Sequence, residues 1–207
     1  MSSSDTSFNE SFILASSSEI RKKILSDQGF DFIVQKSEVD EEILKENYKN
    51  LPFEKRAIKL ALAKAKEVSE AHRDKYVLGA DQMCVYKNNI LNKPGNRENA
   101  VNSLKLLAGD THYQYSGIAL CLNGKSLWSF CDTAILTMKA LSEDEIKSYV
   151  DKDEPYQCAG SYKYESHGSK LFSDVKGSPF TIQGLALTPL LKALEDLDLY
   201  FKKQTYL

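Results

Sequence analysis

A single carboxylate, Asp81, sits inside an apolar run. Residues 76–86 read YVLGADQMCVY, so an acid and Gln82 interrupt what is otherwise a hydrophobic strand pattern. An unpaired buried carboxylate costs several kcal/mol, in order-of-magnitude terms, unless a cation, a metal or a polar cavity compensates it. An Asp capping a turn between two strands is the competing reading. Other charges bear on that choice. The acidic cluster Glu38, Asp40, Glu41 and Glu42 follows a short β-like run, and Glu41 gains meaning only where the fold returns it to Asp81.

Three basic residues have suggestive settings. Arg21 lies one turn into the helix that follows Ser16, Ser17 and Ser18, where free N–H groups and the helix dipole favour an anion. Ser16 and Glu19 also fit a capping box, which would make the serines purely structural. Lys64 lies on the flank of an apolar helical stripe, about 60° from Ala61 at 100° per residue. Snorkelling to water is the commoner fate of such a lysine, and a triphosphate would be an alternative partner. Lys93 precedes Pro94-Gly95, a rigid turn that either aims its ammonium inward or leaves it in solvent.

The rest of the chain offers the elements that would hold these groups. Residues 12–15 and 31–35 have strand patterns, residues 54–72 form an amphipathic helix, and residues 87–92 turn a hairpin. Asn96 caps a helix to about residue 108, closed by Gly109. Residues 111–123 and 127–138 alternate as two long antiparallel strands around Asn123-Gly124, and they leave a homodimer interface open. Ser142 and Glu145 make a capping box. Residues 157–163, QCAGSYK, are small enough for a backbone to approach a ligand, and they lead to Glu165. Residues 180–183 read as a strand, and Thr188-Pro189 as the start of a last helix.

Composition narrows the function. A net charge of −2 gives no footprint for nucleic acid or an anionic membrane, and no apolar run reaches the roughly 20 residues that span a bilayer. Residues 1–11 are Ser-rich without an apolar stretch, so a disordered lead-in and a cytoplasmic chain are expected, with residues 12–207 as one domain. The four cysteines lack C-x-x-C spacing and are expected to be reduced thiols. The P-loop, the Gly-rich dinucleotide fingerprint and the G-x-S-x-G elbow are missing from the sequence, which counts against kinase, dehydrogenase and serine-hydrolase readings.

Taken in order, LASSSEIR (residues 14–21), EVDE (38–41), the AKA segment with Lys64, GADQMCV (79–85), NKP (92–94), the ALSEDEI helix start and CAGSYKYE (158–165) resemble the Maf family of nucleoside triphosphate pyrophosphatases. The resemblance runs from Phe12 to about Leu197. It implies an α/β fold, with an elongated mixed sheet flanked by helices and a cleft between two lobes, similar to inosine triphosphate pyrophosphatases. It also implies magnesium or manganese as cofactor, and a nucleoside triphosphate split into monophosphate and pyrophosphate. Asp81 would then be the general base, with Glu41 and Asp81 as metal carboxylates, while Ser16, Arg21, Lys64 and Lys93 neutralise the phosphates. Ile20, Gln82 and Glu165 match positions that choose the base. The GADQ and CAGS forms resemble the branch associated with 7-methyl-GTP, rather than the branch acting on dTTP and UTP. Ile20 departs from that branch, which carries a tryptophan able to stack on a cationic base, and Gly184-Leu185-Ala186 departs from the family's GLP turn. A nucleotide-binding regulator of cell division without turnover is the alternative of another class.

Overall fold

Strand β3 (Tyr76–Tyr86) runs straight through Asp81, so the acid caps no turn. The computed structural model describes residues 12–199; the expected lead-in at residues 1–11 lies outside them. Strands β1 (Phe12–Leu14) and β2 (Phe32–Val34) precede β3, and β4 (Asn89–Leu91), β5 (Thr111–Leu122), β6 (Lys125–Met138) and β7 (Phe172–Lys176) follow it. They form one mixed sheet in the order β2-β1-β3-β5-β6-β7, with β4 also paired to β3. β1 pairs in parallel with β2 and β3, and the remaining pairings are antiparallel.

The two-residue period of β3 sorts its side chains onto two helical layers. On one face lies α3 (Phe53–Ala71), whose Ala61, Ala65 and Val68 pack on Ile13 and Val77. Farther along the same helix, Ala57 and Leu60 meet Met83 and Val85. Leu78 and Ala80 point the other way, into a core built with α1 (Glu19–Asp27) and α7 (Leu187–Asp196). A separate core joins α4 (Arg97–Leu107) and α5 (Glu143–Asp153) to the far end of β6, with Tyr162 and Phe172. Two apolar centres at opposite ends of one sheet give the two lobes.

Local signals placed most boundaries. Asn96 accepts from the Asn99 N–H, and Ser142 with Glu145 forms a complete capping box. Four expectations need correction. Residues 180–183 are not a strand: α6 (Pro179–Ile182) forms because Ser178 accepts from the Phe180 N–H and Pro179 occupies the first turn. The Ser16–Glu19 box does not form; Ser18 is the N-cap without a side-chain bond, and Ser16 Oγ faces Arg21 instead. The last helix starts at Leu187 after Ala186, before Thr188-Pro189, with the Leu190 N–H already bonded to the Ala186 carbonyl. β7, absent from the sequence reading, pairs its five residues against the end of β6.

Candidate active site

The site opens where β3 lacks a neighbour. On one edge β3 is paired with β5 from Tyr76 to Val85. On the other, β1 reaches only Val77 and Leu78, and β4 begins at Cys84. Residues 79–83 therefore present a bare strand edge to a cleft of about 800 Å³, walled by the Ser16–Ser18 turn on one side and by Lys93 and Cys158 on the other. Ala80 uses that edge, its carbonyl accepting from Arg21 Nη1 at 3.0 Å.

Asp81 projects from this floor toward α3. Lys64 lies on the buried face of that helix, between Ala61 and Val68, and its ammonium turns into the cleft floor instead of snorkelling to the outer surface. Its Nζ donates to Asp81 Oδ1 at 2.7 Å and lies 3.0 Å from Glu41 Oε1. The Lys64 and Asp81 side chains are 11% and 9% exposed. Glu41 reaches the same ammonium as the first residue of α2 (Glu41–Asn47), a helix capped by Asp40, whose Oδ1 accepts from the Glu42 and Ile43 N–H groups. Partial burial pushes the Glu41 carboxyl up, but the Lys64 charge and contact, with the charges of Lys45 and Lys93, hold it below its ordinary value. The acidic cluster is thus split: one acid enters the site and its neighbour builds the helix that delivers it.

Arg21 is buried, donating from Nε to the Gly184 carbonyl at 2.7 Å and from Nη1 to Ser16 Oγ at 2.9 Å. Burial lowers its pKa, while the charges of Asp81 and Glu41 act to raise it. The guanidinium therefore ties α1, β3 and the 184–186 turn together and gives the cleft a fixed positive end. Lys93 is exposed on the Pro94-Gly95 turn, which is pinned by the Gly95 N–H to the Tyr156 carbonyl and by Asn99 Nδ2 to the Pro94 carbonyl.

The three residues matched to base choice all line the cleft. Ile20 is half-buried against the α1–α7 core. Gln82 donates its amide to the Ile182 and Thr181 carbonyls, at 2.6 and 3.3 Å, which docks α6 beside the site. Glu165 is exposed on the 158–165 loop. Lys163, on the same loop, also lines the cleft, and the sequence reading gave it no role. The available signal was the apolar Tyr164 between two charged residues.

Among the described residues no three His, Cys, Asp or Glu side chains form a metal cluster. Asp81 and Glu41 each contact Lys64 through one oxygen, Oδ1 and Oε1, leaving Oδ2 and Oε2 without a protein partner among the described residues. Two such carboxylates suit magnesium or manganese, which binds through one or two protein acids and completes its shell with water and phosphate oxygens. The donor set fits a metal shared with a bound polyphosphate.

A mixed sheet whose bare edge carries a carboxylate–lysine–carboxylate array, faced by fixed cations, defines an α/β protein with a polyanion-binding cleft. The chain belongs to the Maf-like protein family, whose pattern matches residues 11–197. It is 41% identical to a Legionella pneumophila protein named nucleoside triphosphate pyrophosphatase, over 89% of this chain and 92% of that one. A Nitrobacter winogradskyi protein of the same name is 37% identical over 90% and 93%. A Bacillus cereus protein named dTTP/UTP pyrophosphatase is 36% identical over 90% and 95%. Among solved structures, a HAM1 protein from Coxiella burnetii aligns at a TM-score of 0.45 and 15% identity, over 90% of this chain and 99% of that one. No helix among the described residues is long and apolar enough to cross a membrane.

Proposed function

We propose that this chain hydrolyses a nucleoside triphosphate to the monophosphate and pyrophosphate. The observation that carries the reading is the Asp81–Lys64–Glu41 array, a buried acid–lysine pair joined by an exposed acid, at the floor of a cleft with Arg21 and Lys93 on its walls. The names of the relatives agree with it. Asp81 acts as general base on the attacking water, and Lys64 orients its carboxylate through the 2.7 Å contact. Arg21, Lys93 and Ser16 meet the phosphates, where negative charge builds on the leaving pyrophosphate as the α–β bond breaks. Asp81 and Glu41 would hold magnesium or manganese, which would supply Lewis-acid polarisation of the phosphate and lower the pKa of the attacking water.

For the base, the leading reading is a modified guanine nucleotide such as 7-methyl-GTP, since Glu165 stands in the cleft as an acceptor for the N–H groups of guanine. Ile20 favours a second reading, dTTP or UTP. Its aliphatic side chain provides no aromatic face for a cationic base, and the Bacillus cereus relative carries that name. Pyrophosphate release with magnesium, across 7-methyl-GTP, GTP, dTTP and UTP, for the wild type and Asp81→Asn, tests both. Equal turnover by the two proteins would remove Asp81 from the chemistry, and binding without product would point to a nucleotide-binding regulator.

A further inference from the structure

The 163–165 segment presents a charged donor and a charged acceptor side by side. Tyr164 turns inward, with its ring 6.1 Å from Phe172 in the α4–α5 core. Lys163 and Glu165 flank it and both line the cleft. Neither is within ion-pair distance of any partner among the described residues, including the other. Their charges converge on one part of the wall, since both act on the Cys158 thiol.

The segment is also held rigidly. The Lys163 N–H donates to Tyr149 Oη at 2.8 Å, and the Lys163 carbonyl accepts from the Ser166 and Gly168 N–H groups. Just past Glu165, Asp153 of α5, whose side chain is 2% exposed, accepts from Ser166 Oγ and the His167 N–H and bonds His167 Nδ1. α5 thus clamps the loop on both sides of Glu165. A donor and an acceptor carried on a backbone clamped at both ends leave only side-chain torsions to order on binding.

Resting on the pyrophosphatase reading, we infer that Lys163 and Glu165 together select bases with a keto–N–H edge: guanine, hypoxanthine, uracil or thymine. Lys163 Nζ donates to the exocyclic keto oxygen, and the Glu165 carboxylate accepts from the adjacent ring N–H. Adenine and cytosine present the reverse order, an amino group where the keto oxygen lies and a bare ring nitrogen where the N–H lies. The base cannot turn over to correct this, because its triphosphate is anchored at Arg21, Lys93 and Ser16. Donor then faces donor, acceptor faces acceptor, and the loop's charges are left desolvated and unpaired. The pair unites the two candidate substrates above, since 7-methyl-GTP and dTTP or UTP share this edge.

Two nucleotide pairs isolate the edge: ITP against ATP, and UTP against CTP. The wild type is expected to favour the keto member by at least about 100-fold in kcat/KM. Lys163→Met and Glu165→Gln are each expected to shrink that preference roughly tenfold or more, chiefly by raising KM for the keto member, with Lys163→Arg retaining most of it. Calorimetric binding of the same four nucleotides in calcium is measured alongside turnover. Turnover of ATP and CTP equal to ITP and UTP, or an undiminished preference in both Lys163→Met and Glu165→Gln, overturns the inference while leaving the pyrophosphatase reading intact. Absence of pyrophosphate from every nucleotide overturns that reading instead; the keto preference in binding, lost in Lys163→Met, would then still support the edge reader, and its absence would end it.

Discussion

Lys64 Nζ lies 2.7 Å from Asp81 Oδ1, with both side chains nearly closed to solvent and Glu41 as the second acid on the same ammonium. The pair holds an acid on a strand edge that would otherwise be apolar. Removing one partner leaves a buried charge uncompensated, which typically costs about 3–5 kcal/mol. Lys64→Met is therefore expected to lower stability by an amount near that range, and Asp81→Asn by less, since an amide needs no counter-charge. The double variant should be less destabilised than the sum of the two. A urea-denaturation cycle checks this, and simple additivity would show that the two groups do not interact.

Turnover should separate from stability at the same pair. Asp81→Asn keeps the shape and a hydrogen-bond acceptor for Lys64 but cannot take a proton. Loss of a general base is expected to lower kcat by about 100- to 10,000-fold. Pyrophosphate release under saturating nucleotide measures it, and a fall confined to KM would make Asp81 a binding group only.

The proposed metal would rest on Glu41 and Asp81. No cluster of three acidic, His or Cys ligands exists among the described residues, so the ion's remaining ligands would come from water and nucleotide, and affinity without nucleotide should be weak. Chelation is expected to abolish pyrophosphate release, with recovery on adding magnesium or manganese. Glu41→Gln should raise the metal concentration giving half-maximal rate at least tenfold. Full activity in chelator would remove the metal from the proposal.

A buried histidine sets the acid limb of stability. His112 is fully buried, its Nε2 2.8 Å from the Tyr162 hydroxyl, and burial lowers its pKa from 6.5 to about 4. Between those values the unfolded chain binds a proton that the folded chain refuses, so stability is full above pH 6.5 and falls as pH drops toward 4. The shift corresponds to a contribution on the order of 3 kcal/mol. Unfolding midpoints from pH 7 to 4 should decline more steeply for the wild type than for His112→Gln. Parallel profiles would place the titration elsewhere.

The sequence carried the site's chemistry better than its wiring. Asp81 was legible because a lone acid breaks an apolar run, and Lys64 because it sits beside an alanine stripe; both are one-dimensional signals. The fate of Arg21 was not legible, since two of its three partners are carbonyls at Ala80 and Gly184, far along the chain and invisible to residue type. Residues 180–183 read as a strand, yet the Ser178 cap and Pro179 decide the local backbone as a helical turn. β7 escaped notice because FSDVK is short and half polar, and its pairing with β6 supplies what its own pattern lacks.

Two glycines join the fold to the chemistry. A Cβ at Gly79 would lie 2.2 Å from the Ala61 carbonyl oxygen, and one at Gly117 would lie 2.2 Å from that of Ala57. Both atoms belong to α3 backbone, so the helix must retreat from the sheet to admit either methyl. Overpacking of this kind costs about 1–3 kcal/mol. At Gly79 the retreat also acts one turn from Lys64, on the strand that carries Asp81 two residues later, so a 2.7 Å contact must lengthen. Gly117 lies on β5 opposite Asp81 but meets α3 about two turns away from Lys64. Gly79→Ala and Gly117→Ala are thus expected to lose similar stability, while Gly79→Ala loses more kcat, by about tenfold or more, as expected for a misplacement near 1 Å. Melting curves with saturation kinetics on both variants check the split; equal kcat values in both would show that the α3–β3 spacing does not govern the Lys64–Asp81 contact.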